Sequence, residues 1–479
     1  MDTTDNKILI RNCQYLVTRP GSIDGIIQDG AVYIEGSCIV AVGKSTPIEA
    51  QYAGQPGIDV VDAHAKAVLP GLVDAHNHVG EGHTLLIPGW LDTPITDILD
   101  AMDRMYWPAY NWLTEQSAYD LTLFGLLHVL KHGATTHTDA MIFPDAIYRA
   151  STEAKVRTVI YPQMISSVQL ADACDDQEYL AHTEAAIQNY HGSAGGMLHV
   201  GVHPSAIYNN SEPMLLRSMQ LARKYGVQFV THLAESPDEM ARYAEIYREY
   251  GGVVQYLRHM ELLGPQTVLF HGTLLNEADI DILAETGTSL VHCPSTNAWF
   301  GYCAYLPYML KSGLKVGLGT DCITHNLFNV IFSVMQHHNI MPRDLRGVDP
   351  VEIFELATLG GASVLGLQDS IGSLEVGKKA DLITLDLQDN SSLFPLSPQV
   401  FYAMLALNGA GSVACDVLID GVFVRRDSQF TFLDEAAIIA HAREWCDRFN
   451  VDFHRMKRAN LPMFRRLQDE FQFPTGRRA

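Results

Sequence analysis

The sequence predicts an α/β fold: a (β/α)8 (TIM) barrel flanked by a small composite β-sandwich that both chain ends build together. Three observations predict it. Between residues 70 and 370, short apolar runs alternate with longer amphipathic segments, the pattern of repeated βα units around a parallel sheet. Eight such runs can be counted, and polar residues gather at their carboxyl ends, the face on which a barrel carries its chemistry. To either side, residues 1–69 and 371–432 hold short β-like runs separated by turn residues, without helical period.

The amino-terminal runs are ILIRNCQYLVT, GAVYIEGSCIVAVG and DVVDAHAKAVLP; the later ones are IGSLEVGKKADLITLDL and ACDVLIDGVFVRRDSQFT. Neither set has strands enough to stand alone, so the two are expected to pair as one domain. The barrel strands are expected to end in VDAHNH at 78, ATTHTDA at 140, RTVIYPQMI at 165 and LHVGVHPSAIY at 208. The other four end in VQFVTHLAE at 235, TVLFHGTLL at 275, TSLVHCPSTN at 297 and KVGLGTDC at 322. The segment 80–115 is long for a βα loop and carries Trp90, Met102, Met105, Tyr106, Trp107 and Trp112, residues suited to close over a flat ligand or to pack on the barrel rim. Residues 433–479 read as a helical tail, a packing or subunit-contact arm.

Composition excludes several classes. With 47% hydrophobic and 18% charged residues in 479, the chain is globular rather than disordered, and no apolar run approaches the roughly 18 residues that span a bilayer. The start, MDTTDNK, lacks the basic head and apolar core of a secretory signal, which makes the cytoplasm the expected compartment. Eight cysteines without CxxC spacing fit a reducing compartment and argue against a disulfide framework. A net charge of −22 repels nucleic acid and anionic membrane, so neither is expected as a partner.

Twenty histidines are many for this length, and their positions carry the chemistry. Residues two apart on an extended strand point to one side, so His76 and His78 converge. Strand ends at one rim face one pocket, where His232 of the fifth strand and Asp321 of the eighth can join them around a single cation. Three neutral nitrogens and one carboxylate oxygen leave a corner for water, the arrangement of a catalytic metal. The fourth strand has no lysine to form a carbamylated bridge, so one divalent ion is expected rather than two. Glu235, three residues after His232, is placed to take a proton from the activated water and pass it to the substrate, with burial raising its pKa; the rival role is a helix-start carboxylate favoured by the helix dipole. His271 points into the same pocket, to hold the attacking hydroxide or polarise the group under attack, unless it is a satisfied core histidine. His137 and His292 are expected to be structural, because the ligand set is complete without them. The strand ends offer histidine, serine and asparagine where phosphate would call for arginine, lysine or a glycine nest. The expected substrate is therefore small and unphosphorylated, with His203, Trp90, Asn297 and His325 expected to hold it or to brace the rim.

The ordered set PGLVDAHNH, THLAE, FHG, Ser295-Thr296-Asn297 and GLGTD, with trailing GSLEVGKKADL and VLIDG, resembles the amidohydrolase superfamily. Within it the chain resembles the branch of cytosine/guanine-type deaminases and s-triazine hydrolases, over residues 8 to about 430. The resemblance implies one zinc ion, or iron(II), at His76, His78, His232 and Asp321, with Glu235 as proton shuttle, His271 beside the nucleophile and Asp321 also taking a proton from the water. It implies a barrel embraced by a sheet from both chain ends, and a homodimer or homotetramer. The implied reaction is attack by metal-activated hydroxide on an electron-poor sp2 carbon of an amino-substituted purine, pyrimidine, pterin or triazine, with loss of ammonia. Two departures stand out: Asp321-Cys322-Ile323-Thr324-His325-Asn326 has a histidine where many relatives have serine, and GEGHTLLIPGW differs from the Arg-Gly-containing form of adenosine-type enzymes.

The same attack serves other leaving groups, so a dechlorinase, an alkylamine hydrolase or a cyclic amidase is the first rival. A barrel that had lost catalysis and become a scaffold would lack ligands, and here the four ligands and Glu235 are all present.

Overall fold

The structure is a computed structural model that describes residues 6–80, 98–166, 175–338, 347–388, 393 and 397–458; Trp90, expected near the rim, lies outside them. Its first strands are β1 (Lys7–Val17), β2 (Ile26–Glu35), β3 (Cys38–Lys44), β4 (Ile58–Asp62) and β5 (Lys66–Pro70). Next come β6 (Leu72–Asp74), β7 (Ala134–Met141), β8 (Arg157–Met164), β9 (Leu198–Val200), β10 (His203–Pro204), β11 (Phe229–Leu233), β12 (Thr267–His271), β13 (Ser289–His292) and β14 (Lys315–Leu318). The last are β15 (Leu382–Asp386), β16 (Asp416–Ile419), β17 (Val422–Arg426) and β18 (Gln429–Phe430).

The two chain ends share one mixed sheet, in the order β18-β17-β16-β15-β5-β1-β2-β3 with β4 beside β1. Antiparallel pairing of β5 with β15, Leu69 opposite Ile383, makes the junction. Although β3 and β17 stand far apart in that order, Ile39 of one and Phe423 of the other belong to the same apolar cluster, together with Ile8, Val32 and Leu418.

Between the ends the fold is α/β, with parallel strands in two sheets, β10-β8-β7-β6 with β9 on β8, and β11-β12-β13-β14. Two seams separate these sheets, and single parallel bridges cross both: Val202 to Phe229 and Ala206 to His232 at one, Asn77 to Asp321 at the other. At the second seam the N–H groups of Ala75 and Asp321 donate to the carbonyls of Leu318 and His76, at 3.0 and 2.9 Å. Only glycine permits this approach at residue 319, where a Cβ would lie 2.8 Å from the His76 Cβ.

Several strands end earlier than expected, for local reasons. The fourth is broken into β9 and β10 at Gly201, which crosses the Tyr161 ring where a Cβ would come to 2.5 Å, and it stops at Pro204, which has no N–H to offer a neighbour. The seventh stops at His292, and Asn297 sits on the helix Pro294–Trp299, because Pro294 suits a first helical turn better than a continuing strand. The eighth stops at Leu318, and Asp321 lies beyond it at the isolated bridge to Asn77, with φ 55°. The first ends at Asp74, so His76 and His78 lie just beyond it.

From Ile98 to Trp112 the rim segment is helical, and Tyr106, Trp107 and Tyr110 are buried. Trp107 packs on Tyr110 with centroids 5.7 Å apart, whereas Tyr106 brings its hydroxyl to 2.8 Å from Cys322 Sγ, next to Asp321. The helix Glu115–Lys131 starts at Thr114, whose hydroxyl accepts the Ser117 N–H at 3.2 Å. Against it lies the tail helix Glu435–Arg458, tied by Trp445 Nε1 to Asp120 at 2.8 Å and by Trp112 Nε1 to Asp452 at 3.1 Å. The cysteines among the described residues are free thiols, and none of the described helices is long and apolar enough to cross a membrane.

Candidate active site

At the carboxyl ends of β6, β11, β12 and β14 the chain gathers histidines and carboxylates into one buried pocket. His76 and His78 stand with ring centroids 4.9 Å apart and planes at 84°. His232 lies 4.9 Å from His76 and 5.6 Å from His78, and the ligand-type nitrogens of all three fall within 4.8 Å of one another. Asp321 completes the group, its Oδ1 3.6 Å from Nε2 of His76 and of His78. Two ligands held about 2.1 Å from a tetrahedral ion stand roughly 3.4 Å apart, close to the 3.6 Å that separates the Asp321 oxygen from His76 and from His78.

The donors are also in the right chemical form. His78 and His232 turn Nδ1 to the carbonyls of Ala140 and Ser205, at 2.8 and 2.5 Å, which orients each ring and leaves Nε2 for the pocket. His76 is fully buried, stacked on Phe270 at 3.9 Å, and among the described residues has no hydrogen-bond partner at either ring nitrogen. Such a group costs stability unless something other than the chain satisfies it, and a divalent cation fits that need. Burial, then the neighbouring imidazoles, holds His76 and His232 well below the usual histidine range, so they are neutral, as a metal ligand must be.

Opposite the histidines, Glu235 Oε1 is 3.9 Å from His271 Nε2, which is 4.0 Å from Asp321 Oδ2. Burial, then the charges of Asp321 and Glu239, pushes the Glu235 carboxyl well above its usual range, and burial raises Asp321 against the pull of His78. Burial also brings His271 down to about 3. Positive φ angles occur at Ala234 (57°), His271 (73°) and Asp321 (55°), each costing roughly 1–3 kcal/mol in a non-glycine residue. Such conformations persist only where the surrounding fold imposes them. The helix-start role falls to another residue: the helix Pro237–Ile246 is capped by Glu239, which accepts the Ser236 N–H at 3.4 Å.

The remaining expected residues are placed unequally. Asn297 donates from Nδ2 to Thr273 Oγ1 at 2.5 Å and to His271 Nδ1 at 3.4 Å, so its amide serves His271. His203 is buried, 5.3 Å from the His232 ring. His325 is buried where Gly125 leaves room on the helix Glu115–Lys131, a Cβ there lying 3.4 Å from its Nε2. His137 bonds through both nitrogens, to Thr158 Oγ1 at 2.9 Å and the Thr138 carbonyl at 3.0 Å, and His292 is buried in β13. Three residues near the pocket escaped the sequence reading: Asp74, Tyr106 as a site residue, and Cys293, which lies close to the ligand-type nitrogens of His76 and His271. Asp74 accepts from Thr320 N–H at 2.9 Å, Thr320 Oγ1 at 2.5 Å and Asn77 Nδ2 at 2.8 Å, tying the His76–His78 loop to the residue before Asp321. Its signal was an acidic residue at the end of an apolar run.

A profile of the amidohydrolase family matches residues 67–425. The 5-methylthioadenosine/S-adenosylhomocysteine deaminase of Thermodesulfovibrio yellowstonii is 29% identical over 455 residues, 92% of this chain and 99% of that protein. The Bacillus cereus enzyme of the same name is 29% identical over 437 residues, 88% and 94% of the two chains. Among solved structures, an adenosine deaminase from Xanthomonas campestris with bound zinc superposes with a TM-score of 0.81 at 25% identity, over 93% of this chain and 99% of that one. The fold is shared by atrazine chlorohydrolase from Arthrobacter aurescens in complex with zinc, TM-score 0.77 at 22% identity, over 92% and 100%. Since the profile spans about three quarters of its length, the chain belongs to the amidohydrolase family and is a hydrolase of carbon–nitrogen bonds.

Proposed function

We propose that this chain is a zinc-dependent aminohydrolase that releases ammonia from an amino-substituted N-heterocycle. His76, His78, His232 and Asp321 are the metal ligands, Glu235 is the proton shuttle and His271 stands beside the attacking oxygen. One observation carries the reading: His76, a fully buried imidazole with no hydrogen-bond partner among the described residues, is faced by two further imidazoles and a carboxylate at ligand spacing. Three nitrogens and one oxygen suit zinc, with iron(II) as the alternative. Such an ion, when bound, makes water acidic enough to attack near neutral pH and stabilises charge developing on the substrate.

The chain's own groups move the protons and hold the geometry. Glu235, whose burial makes its neutral form accessible, accepts the proton that the attacking water gives up and delivers it to a ring nitrogen beside the attacked carbon. Asp321 takes the second proton, which leaves with ammonia, so amine plus water becomes carbonyl plus ammonia. His271, steadied by Asn297, meets the attacking oxygen at Nε2. His203, Trp90 and His325 are proposed contacts for the heterocycle.

The bridged seams support reading the two parallel sheets as one (β/α)8 barrel over residues 70–370. The cluster shared by β3 and β17 supports a sandwich formed from residues 1–69 and 371–432. Residues 433–479 are then a tail on the barrel and the proposed contact of a homodimer or homotetramer.

The test is ammonia release by zinc-loaded protein over a panel of 5′-methylthioadenosine, S-adenosylhomocysteine, adenosine, guanine, cytosine, a pterin and an aminotriazine. At least one compound should give kcat/KM above about 10⁴ M⁻¹ s⁻¹. Chloride, alkylamine or a ring-opened product without ammonia would replace the aminohydrolase with one of its rivals. No reaction together with no zinc uptake would favour a scaffold.

A further inference from the structure

The turn that presents Glu235 is gripped by a side chain the proposed reaction does not use. Glu239, the third residue of the helix Pro237–Ile246, is 1% exposed. Its carboxylate accepts three consecutive backbone N–H groups: Ala234 to Oε1 at 3.0 Å, Glu235 to Oε2 at 2.7 Å and Ser236 to Oε2 at 3.4 Å. A helix cap needs only the last of these. The other two bind residues outside the helix, on the short stretch between β11 and Pro237, where Ala234 has φ 57°. An alanine adopts that conformation only when held there, and hydrogen bonds to a carboxylate are among the strong ones. A second buried acid so near Glu235 is electrostatically unfavourable, which a cap alone would not require.

We propose that Glu239 is a positioning residue: its buried carboxylate pins the Ala234–Glu235–Ser236 turn and so aims the Glu235 carboxyl into the pocket. This rests on Glu235 being the proton shuttle. Displacing a reacting group by about 1 Å can cost on the order of a hundredfold in rate, which sets the scale of the effect.

The experiment joins hydrogen exchange with kinetics on the full-length zinc-loaded protein. Exchange is read by mass spectrometry on peptides covering residues 229–243, and kinetics on whichever panel compound the wild type converts. The amides of Ala234, Glu235 and Ser236 should exchange slowly in the wild type and fast in Glu239→Ala. In that variant kcat should fall about a hundredfold, KM should move by less than about threefold, and zinc per chain should stay at the wild-type value. Glu239→Gln keeps one oxygen for the N–H groups of Glu235 and Ser236, so it should recover most of both protection and kcat. Unchanged exchange in Glu239→Ala would remove the grip, and fast exchange with unchanged kcat would remove its bearing on the reaction. Equal loss of zinc or of helical circular dichroism in both variants would make Glu239 structural and overturn the proposal. If the wild type converts nothing on the panel, the aminohydrolase reading fails by itself, while the exchange result still decides whether the grip exists.

Discussion

The two ends of the parallel strands bury polar groups in opposite ways. At the amino-terminal end, Arg157, the first residue of β8, donates to both oxygens of Asp381 at 2.9 and 3.1 Å, and Asp420 lies 2.9 Å from Lys379. Lys66 meets Asp416 at 3.0 Å, and the Thr384 hydroxyl donates to the same carboxylate at 2.6 Å. At the carboxyl-terminal end, like is set beside like: four imidazoles of His76, His78, His232 and His271, and two raised carboxyls of Glu235 and Asp321. Opposite charges and hydrogen bonds offset the cost of burial at the first end, where Arg157 alone reaches from a parallel strand to the mixed-sheet side and the other pairs lie within the mixed sheet and its loops. At the second end the described chain leaves His76 unsatisfied, a local inconsistency that functional sites retain at the expense of stability.

Substitutions at each end sharpen that contrast. Glu235→Gln should lower kcat by about 10²–10⁴-fold with zinc content unchanged, measured by steady-state kinetics and elemental analysis. In metal-stripped protein the same change should stabilise the fold at pH 7. A carboxyl raised in the folded state binds a proton that the unfolded chain releases, so stability falls as pH climbs above the unfolded value of about 4.3, and glutamine escapes that loss. Urea unfolding of the stripped proteins checks this, and a less stable variant would make both ends stabilising alike.

Arg157→Ala should instead cost about 3–5 kcal/mol, because it leaves buried Asp381 without its partner, while zinc content and kcat per folded molecule stay unchanged. Loss of zinc here would show that the two ends are not separable. The smallest effect is expected for Asp416→Asn. Burial works against this carboxylate, but hydrogen bonds from Thr384 and the Asp427 N–H, and the Lys66 ammonium, hold it below the usual range. A depressed acid contributes stability that is present above the unfolded value of about 3.9 and lost as pH falls through the folded one. The variant should therefore lose about 1–2 kcal/mol at pH 7, and that loss should shrink steadily as pH falls below the unfolded value, read from denaturant midpoints.

The meeting of His76, His78, His232, Glu235, His271 and Asp321 was legible in the sequence because strand ends follow from the spacing of short apolar runs, and a barrel rim brings such ends together. Asp74 was not, since its role depends on Thr320, 246 residues further on, and no local pattern reports that pairing. Asn297 read as a strand-end residue, yet Pro294 starts a helix that turns its amide to His271. The role of Glu239 was not legible, because its two extra acceptor bonds go to a turn set by the positive φ of Ala234, which alanine does not advertise. The shared sheet was legible from two sets of strands too few to stand alone, whereas its register, Leu69 opposite Ile383, was not.

Anomalous diffraction at the zinc absorption edge, from crystals of the zinc-soaked protein, tests most directly whether remote side chains share one ion. One strong peak per chain is expected, about 2.0–2.2 Å from nitrogens of His76, His78 and His232 and from an oxygen of Asp321. The absence of a peak there, with His76 still unpartnered, would contradict the proposed metal centre.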